Sequence, residues 1–130
     1  MTTNIITIDG VLYNVRVSFG TMERSFELVE GKNKGTTITK REIRDIIGTR
    51  YSYSMQVEPD PANPEDYDSF YQKITEPKDY HVVELPFDQN GISFEAQIIS
   101  GSDSYKGFLA GKHRWGGLKV EFVPMQPQRT

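Results

Sequence analysis

The sequence predicts a mainly β protein, a β-sandwich or an open antiparallel β-barrel, with one or two short helices. Three observations predict it. Side-chain character alternates with a period of two in three separate stretches. Tyr51, Tyr53, Met55 and Val57 oppose Ser52, Ser54, Gln56 and Glu58; Ile92, Phe94, Ala96 and Ile98 oppose Ser93, Glu95, Gln97 and Ile99; Leu118, Val120 and Phe122 oppose Lys119, Glu121 and Val123. Such alternation gives a strand one dry face and one wet face. Turn-forming sequence separates the runs, as at Asp9-Gly10 and Asp88-Gln89-Asn90-Gly91. Helical spacing of apolar residues is confined to two short stretches, about 40–47 and 65–75.

Taken in order, Ile5–Ile8 and Val11–Phe19 read as two strands around the Asp-Gly turn, with Tyr13, Val15, Val17 and Phe19 alternating against Asn14, Arg16 and Ser18. Arg24–Val29 is a third strand, with Phe26 and Leu28 inward. Glu30 to Gly35 is a turn rich in residues that tolerate positive φ, and Thr36–Thr39 continues the ladder beyond it. From Lys40 to Ile47 the alternation breaks. Ile43, Ile46 and Ile47 stand three and four apart, Thr39 and Glu42 form a capping-box pattern, and Gly48 is a stop. A helix is the preferred reading, and a strand built on β-branched isoleucine is its rival.

Pro59, Pro61 and Pro64 mark a loop. A helix follows, with Tyr67, Phe70, Tyr71 and Ile74 on one face, Glu65, Asp66 and Asp68 in its first turn, and Pro77 barring extension. Tyr80–Leu85 and Ile92–Ser100 form a hairpin. Gly101–Gly111 reads as a loop anchored by Tyr105, Phe108 and Leu109. Leu118–Val123 is the last strand, and 124–130 is expected to be an extended, flexible tail. The 130 residues fit a single domain spanning 1–130, with no repeat or linker.

Composition narrows function more than it defines it. The absence of cysteine excludes disulfides and thiolate metal sites. A net charge of −3 argues against a dedicated nucleic-acid binder. No apolar run approaches the length of a membrane helix, and the first residues lack the pattern of a signal peptide.

The acidic run Asp60, Glu65, Asp66 and Asp68 lacks the order of a calcium loop, and helix-start electrostatics accounts for it better than a metal does. His81 and His113 have no partner in sequence that marks a general base. Gly107–Lys112 falls one residue short of a phosphate loop and follows no apolar strand. No enzyme and no cofactor is therefore expected. The most basic stretch runs from 32 to 50 and holds six Lys/Arg against two acids, including Lys32, Lys34, Lys40, Arg41 and Arg44. It reads either as a solvated turn or as a contact for an acidic partner. Trp115 reads as a core plug at a strand entrance, or as an exposed ring for partners or sugars. The candidate contact residues are Lys32, Lys34, Arg41, Arg44, Tyr105 and Trp115.

Several phrases carry a resemblance. They are Ile5-Thr-Ile-Asp-Gly-Val-Leu-Tyr-Asn-Val, Arg24-Ser-Phe-Glu-Leu-Val-Glu-Gly-Lys-Asn, Arg44-Asp-Ile-Ile-Gly-Thr, Asp66-Tyr-Asp-Ser-Phe-Tyr, Phe94-Glu-Ala-Gln-Ile-Ile-Ser-Gly and Trp115-Gly-Gly-Leu-Lys-Val-Glu-Phe with Pro127-Gln-Arg. Over nearly its whole length the chain resembles small tail or baseplate structural proteins of phages and prophages of Gram-positive gut bacteria. The resemblance implies a β-sandwich or β-barrel subunit that associates with itself, as a ring or other homo-oligomer, and with other tail proteins. It implies residence in the host cytoplasm during assembly and then in the virion tail. It brings no catalytic or ligand residue with it. The alternative expectation is a carbohydrate- or other ligand-binding β-sandwich module using Trp115, Tyr105 and nearby loops.

Overall fold

The computed structural model describes residues 6–30, 35–36, 42–43 and 46–130. Among these lie eleven strands and one helix: β1 (Ile6–Ile8), β2 (Val11–Tyr13), β3 (Val15–Val17), β4 (Glu23–Glu30), β5 (Gly35–Thr36), β6 (Glu42–Ile43), β7 (Ile46–Pro59), α1 (Pro64–Ile74), β8 (His81–Pro86), β9 (Gly91–Gln97), β10 (Gly101–Leu109) and β11 (Lys112–Pro124). The strand pairs are antiparallel, as the alternation predicts.

The main ladder runs β2-β1-β8-β9-β11-β7-β3, with β10 beside β11, β4 beside β7, and β5-β6 as a separate pair. β11 joins the two halves. Its residues Leu118–Phe122 pair with Val57–Tyr53 of β7, while Val123 and Pro124 pair with Gln97 and Ala96 of β9. The ladder bends round without closing. β2 pairs with β1 and β3 pairs with β7, at opposite ends of the ladder, and only Asn14 separates them. Asn14 gives both its backbone N–H and its side-chain amide to Asp66 Oδ2 on α1, at 3.0 and 2.8 Å. The bend is therefore sealed by the helix rather than by strand pairing.

The helix forms where its apolar spacing places it. Pro64 opens it in the first turn, Glu65 and Asp66 meet the positive end of its dipole, and Tyr67, Phe70 and Ile74 are buried. Phe70 meets Tyr13 edge-on, with ring centroids 5.6 Å apart. The core gathers the inward side chains of both halves: Ile6, Ile8, Val15, Tyr53, Val57, Val83, Leu85, Leu118 and Phe122 are almost fully buried. Asp9 and Gly10 both have positive φ, 51° and 82°, as a two-residue hairpin turn of this hand requires.

Four expectations are corrected. The described residues of the expected helix over 40–47 lie in strands, Glu42–Ile43 in β6 and Ile46–Ile47 at the start of β7. Isoleucine, stiff at χ1, suits a strand, and pairing with β4 outweighs a marginal helix with few residues to bury. Lys40, Arg41, Arg44 and Asp45 lie outside the described residues. The expected loop over 101–111 is mostly strand β10, paired with β11 from Gly101↔Val120 to Leu109↔Lys112. The register shifts twice, at Ser102/Ser104 and at Tyr105/Gly107, and the second shift puts an extra residue into β10, which breaks its alternation and hides it from a period-two reading.

Phe19 is not part of a buried face. It sits fully exposed after β3 ends at Val17. Phe26 and Leu28 do share the core-side face with Tyr51 and Thr49 across the ladder, yet they are 73% and 38% exposed, because β4 and this half of β7 overhang the core. Arg129 bridges Thr49, and Gln128 clasps the Tyr51 backbone through both N–H (2.9 Å) and C=O (2.8 Å).

Candidate functional site

Three places gather chemistry. The first is the turn between β1 and β2. Asp9 Oδ2 accepts from His81 Nδ1 at 2.8 Å, and Asp9 Oδ1 accepts from the Val82 N–H at 2.9 Å. Burial pushes the Asp9 pKa up. The hydrogen bonds from His81 and Val82 and the charges of His81 and Lys78 outweigh it, holding the carboxyl well below the usual carboxylate range. Asp9, Glu76 and His81 place ligand atoms within 4.8 Å of one another, a spacing that suits a metal. The site is already neutralised. Lys73 Nζ lies 3.5 Å from Asp9 and 3.6 Å from Glu76, and Lys78 Nζ lies 3.5 Å from Asp9. A cation would have to displace two ammonium groups, so the cluster reads as an internal ion network. His81 is buried and bonded to that carboxylate through Nδ1, while its Nε2 meets no hydrogen-bond partner among the described residues.

The second place is the overhang of β4 and β7. Phe26 and Leu28 project there with Tyr51 and Phe87, whose rings meet edge-on at 4.9 Å. Arg24 stacks over Phe87 at 5.1 Å and donates to its carbonyl. Ile46 and Ile47, on the same ribbon, are about half exposed at 49% and 51%. This apolar strip has no covering layer among the described residues.

The third place is the ribbon of β10 and β11, which reaches past the core beside α1. Tyr105 stands opposite Trp115 in the ladder, with ring centroids 5.2 Å apart. His113 Nδ1 lies 2.8 Å from the Tyr105 hydroxyl, and Phe108 closes on His113 at 5.1 Å. Trp115 is thus no core plug. It is 43% exposed, because the core ends at Leu118 and Gly117, at φ 68°, redirects the strand before it.

Trp115 forms one wall of a cleft of 290 Å³; the others come from Tyr67, Asp68, Tyr71 and Gln72 of α1 and from Asp103 of β10. Tyr67 is buried and donates its hydroxyl proton to Asp103 Oδ2 at 2.8 Å. Burial first, then that bond, raises the Tyr67 pKa, so the hydroxyl stays a neutral donor that fixes the carboxylate. A neighbouring hollow of 350 Å³ is lined by Glu65, Asp68, Lys112, His113 and Arg114. Asp68 lines both, so the two hollows adjoin at that residue in the groove region between helix and ribbon.

Of the expected contact residues, Tyr105 and Trp115 are brought together here, while Lys32, Lys34, Arg41 and Arg44 lie outside the described residues. The acidic run does not converge. Asp66 takes Asn14, Asp60 pairs with Arg16 at 3.9 Å, and Asp68 faces the groove. No sequence pattern marks Asp103, because it sits in the bulged strand, where parity gives no face. No family model matches the chain, and none of the curated proteins matches it. No described helix is long and apolar enough to cross a membrane.

Proposed function

We propose that this chain is a non-enzymatic structural protein of a phage tail or baseplate, working through contacts with its own copies and with other tail proteins. The observation that carries the reading is the overhang. Phe26 and Leu28 continue the apolar face of the core past its last layer, and 73% exposure of a phenylalanine on a core-side face is a cost that association removes. Burying the strip of Phe26, Leu28, Ile46 and Ile47 against a neighbour yields about 25 cal/mol for each Å² of apolar surface. Among the described residues β4 pairs with β7, and a neighbouring strand laid beside it would extend the ladder.

The test is a Phe26→Ser, Leu28→Ser double variant beside the parent chain in analytical ultracentrifugation over rising concentration, alone and mixed with the products of adjoining genes. The parent is expected to form rings or larger species, or to join those products. The variant keeps its melting temperature and loses the association. A parent chain that stays monomeric and joins none of the neighbouring products overturns the reading.

A further inference from the structure

None of the residues of that strip lines the groove between α1 and the β10–β11 ribbon, and the chemistry of the groove selects a ligand class. We infer that it binds a neutral pyranose oligosaccharide, with one sugar ring against Trp115 and Tyr71. Both aromatic side chains line the cleft while remaining 43% and 37% exposed, so each offers a flat apolar face at the surface. The carbon-bound hydrogens of a pyranose face suit such a ring, and its hydroxyls then point to the rim. Polar groups are waiting there: Asp68 and Asp103 accept, and the Gln72 amide both donates and accepts.

Charge decides against the rival ligand classes. An isolated aromatic pair with two carboxylates would suit a substituted ammonium ion. The hollow that adjoins at Asp68 carries Lys112 and Arg114, which repel a cation there. An anion meets Asp68, Asp103 and Glu65 instead. Walls of mixed sign favour a ligand whose groups both donate and accept without carrying charge, and a chain of sugars is one. The 290 Å³ cleft lies at the small end of the about 300–1,000 Å³ common for ligand sites, a size for one ring, and the adjoining 350 Å³ hollow receives the next. Asp103 is built for the task. Tyr67 holds one carboxylate oxygen from the buried side, so the group is oriented before the ligand arrives.

The experiment is a titration of the full chain, followed by amide and indole NMR signals, with cellotriose, maltotriose and triacetylchitotriose in turn. At least one is expected to shift Trp115 Nε1–H together with the amides of Asp68, Gln72 and Asp103, saturating in the millimolar range or below. Asp68 is exposed, so Asp68→Ala should fold normally and weaken that binding about tenfold. Trp115→Phe, which keeps a smaller ring, should weaken it less than Trp115→Ala. The Phe26→Ser, Leu28→Ser variant should bind the sugar as the parent does, which separates this inference from the assembly reading. The inference is overturned if none of the three sugars shifts these signals at about 10 mM, if Asp68→Ala binds unchanged, or if tetramethylammonium or sulfate moves the same signals at lower concentration than any sugar.

Discussion

At the scale of single residues, Asp9 shows how much one side chain can hold. It occupies a positive-φ position that asparagine also tolerates, so Asp9→Asn keeps the turn and removes the charge. The carboxyl titrates below its ordinary range in the folded chain, so its contribution is fully present above about pH 4, the unfolded value, and is lost as pH falls through the folded value. The variant should be less stable than the parent at pH 7 by about 1–3 kcal/mol. The gap should close as the solution is made strongly acid, in urea denaturation followed at successive pH values. The sequence places His81 in a strand. It held no sign that Asp9, 72 residues away, is the partner, because the turn and β8 become neighbours only when β1 pairs with β8.

At the scale of elements, local pattern succeeded where a strand is regular and flanked by an open turn, as in β8, β9 and the core half of β7. It failed where a strand is bulged, as in β10, and where a face is apolar but overhangs, as in β4. The tail is a third case. Gly48 lets it lie against β7, since a Cβ there would meet Arg129 O at 2.7 Å and Pro127 Cβ at 2.8 Å. Gly48→Ala should therefore lift 127–129 off the sheet. Amide exchange at Arg129, whose N–H reaches Thr49 O, should speed up while the core amides stay protected. Stability should fall by about 1 kcal/mol.

At the scale of the whole molecule, β11 makes one cooperative unit of two half-sheets, because its two ends ladder to different neighbours. Phe122 lies fully buried at that junction. Phe122→Ala should cost about 3–5 kcal/mol. The loss should appear equally in Trp115 fluorescence and in far-ultraviolet circular dichroism, with coincident transitions in both proteins. If the two signals separated, the halves would be folding independently. The groove is a property of this scale. Trp115 and Asp68 were both in view in the sequence, but as a strand entrance and a helix start, 47 positions apart. By itself the sequence determined the antiparallel class, the helix after the prolines and most of the inward faces, because alternation and spacing are set by backbone geometry that acts over a few residues. Only the tertiary structure decided which inward faces were actually covered, where β10 ran, and that helix and ribbon meet in a groove. Those outcomes depend on pairings between distant segments and on where the core stops, which no local period encodes.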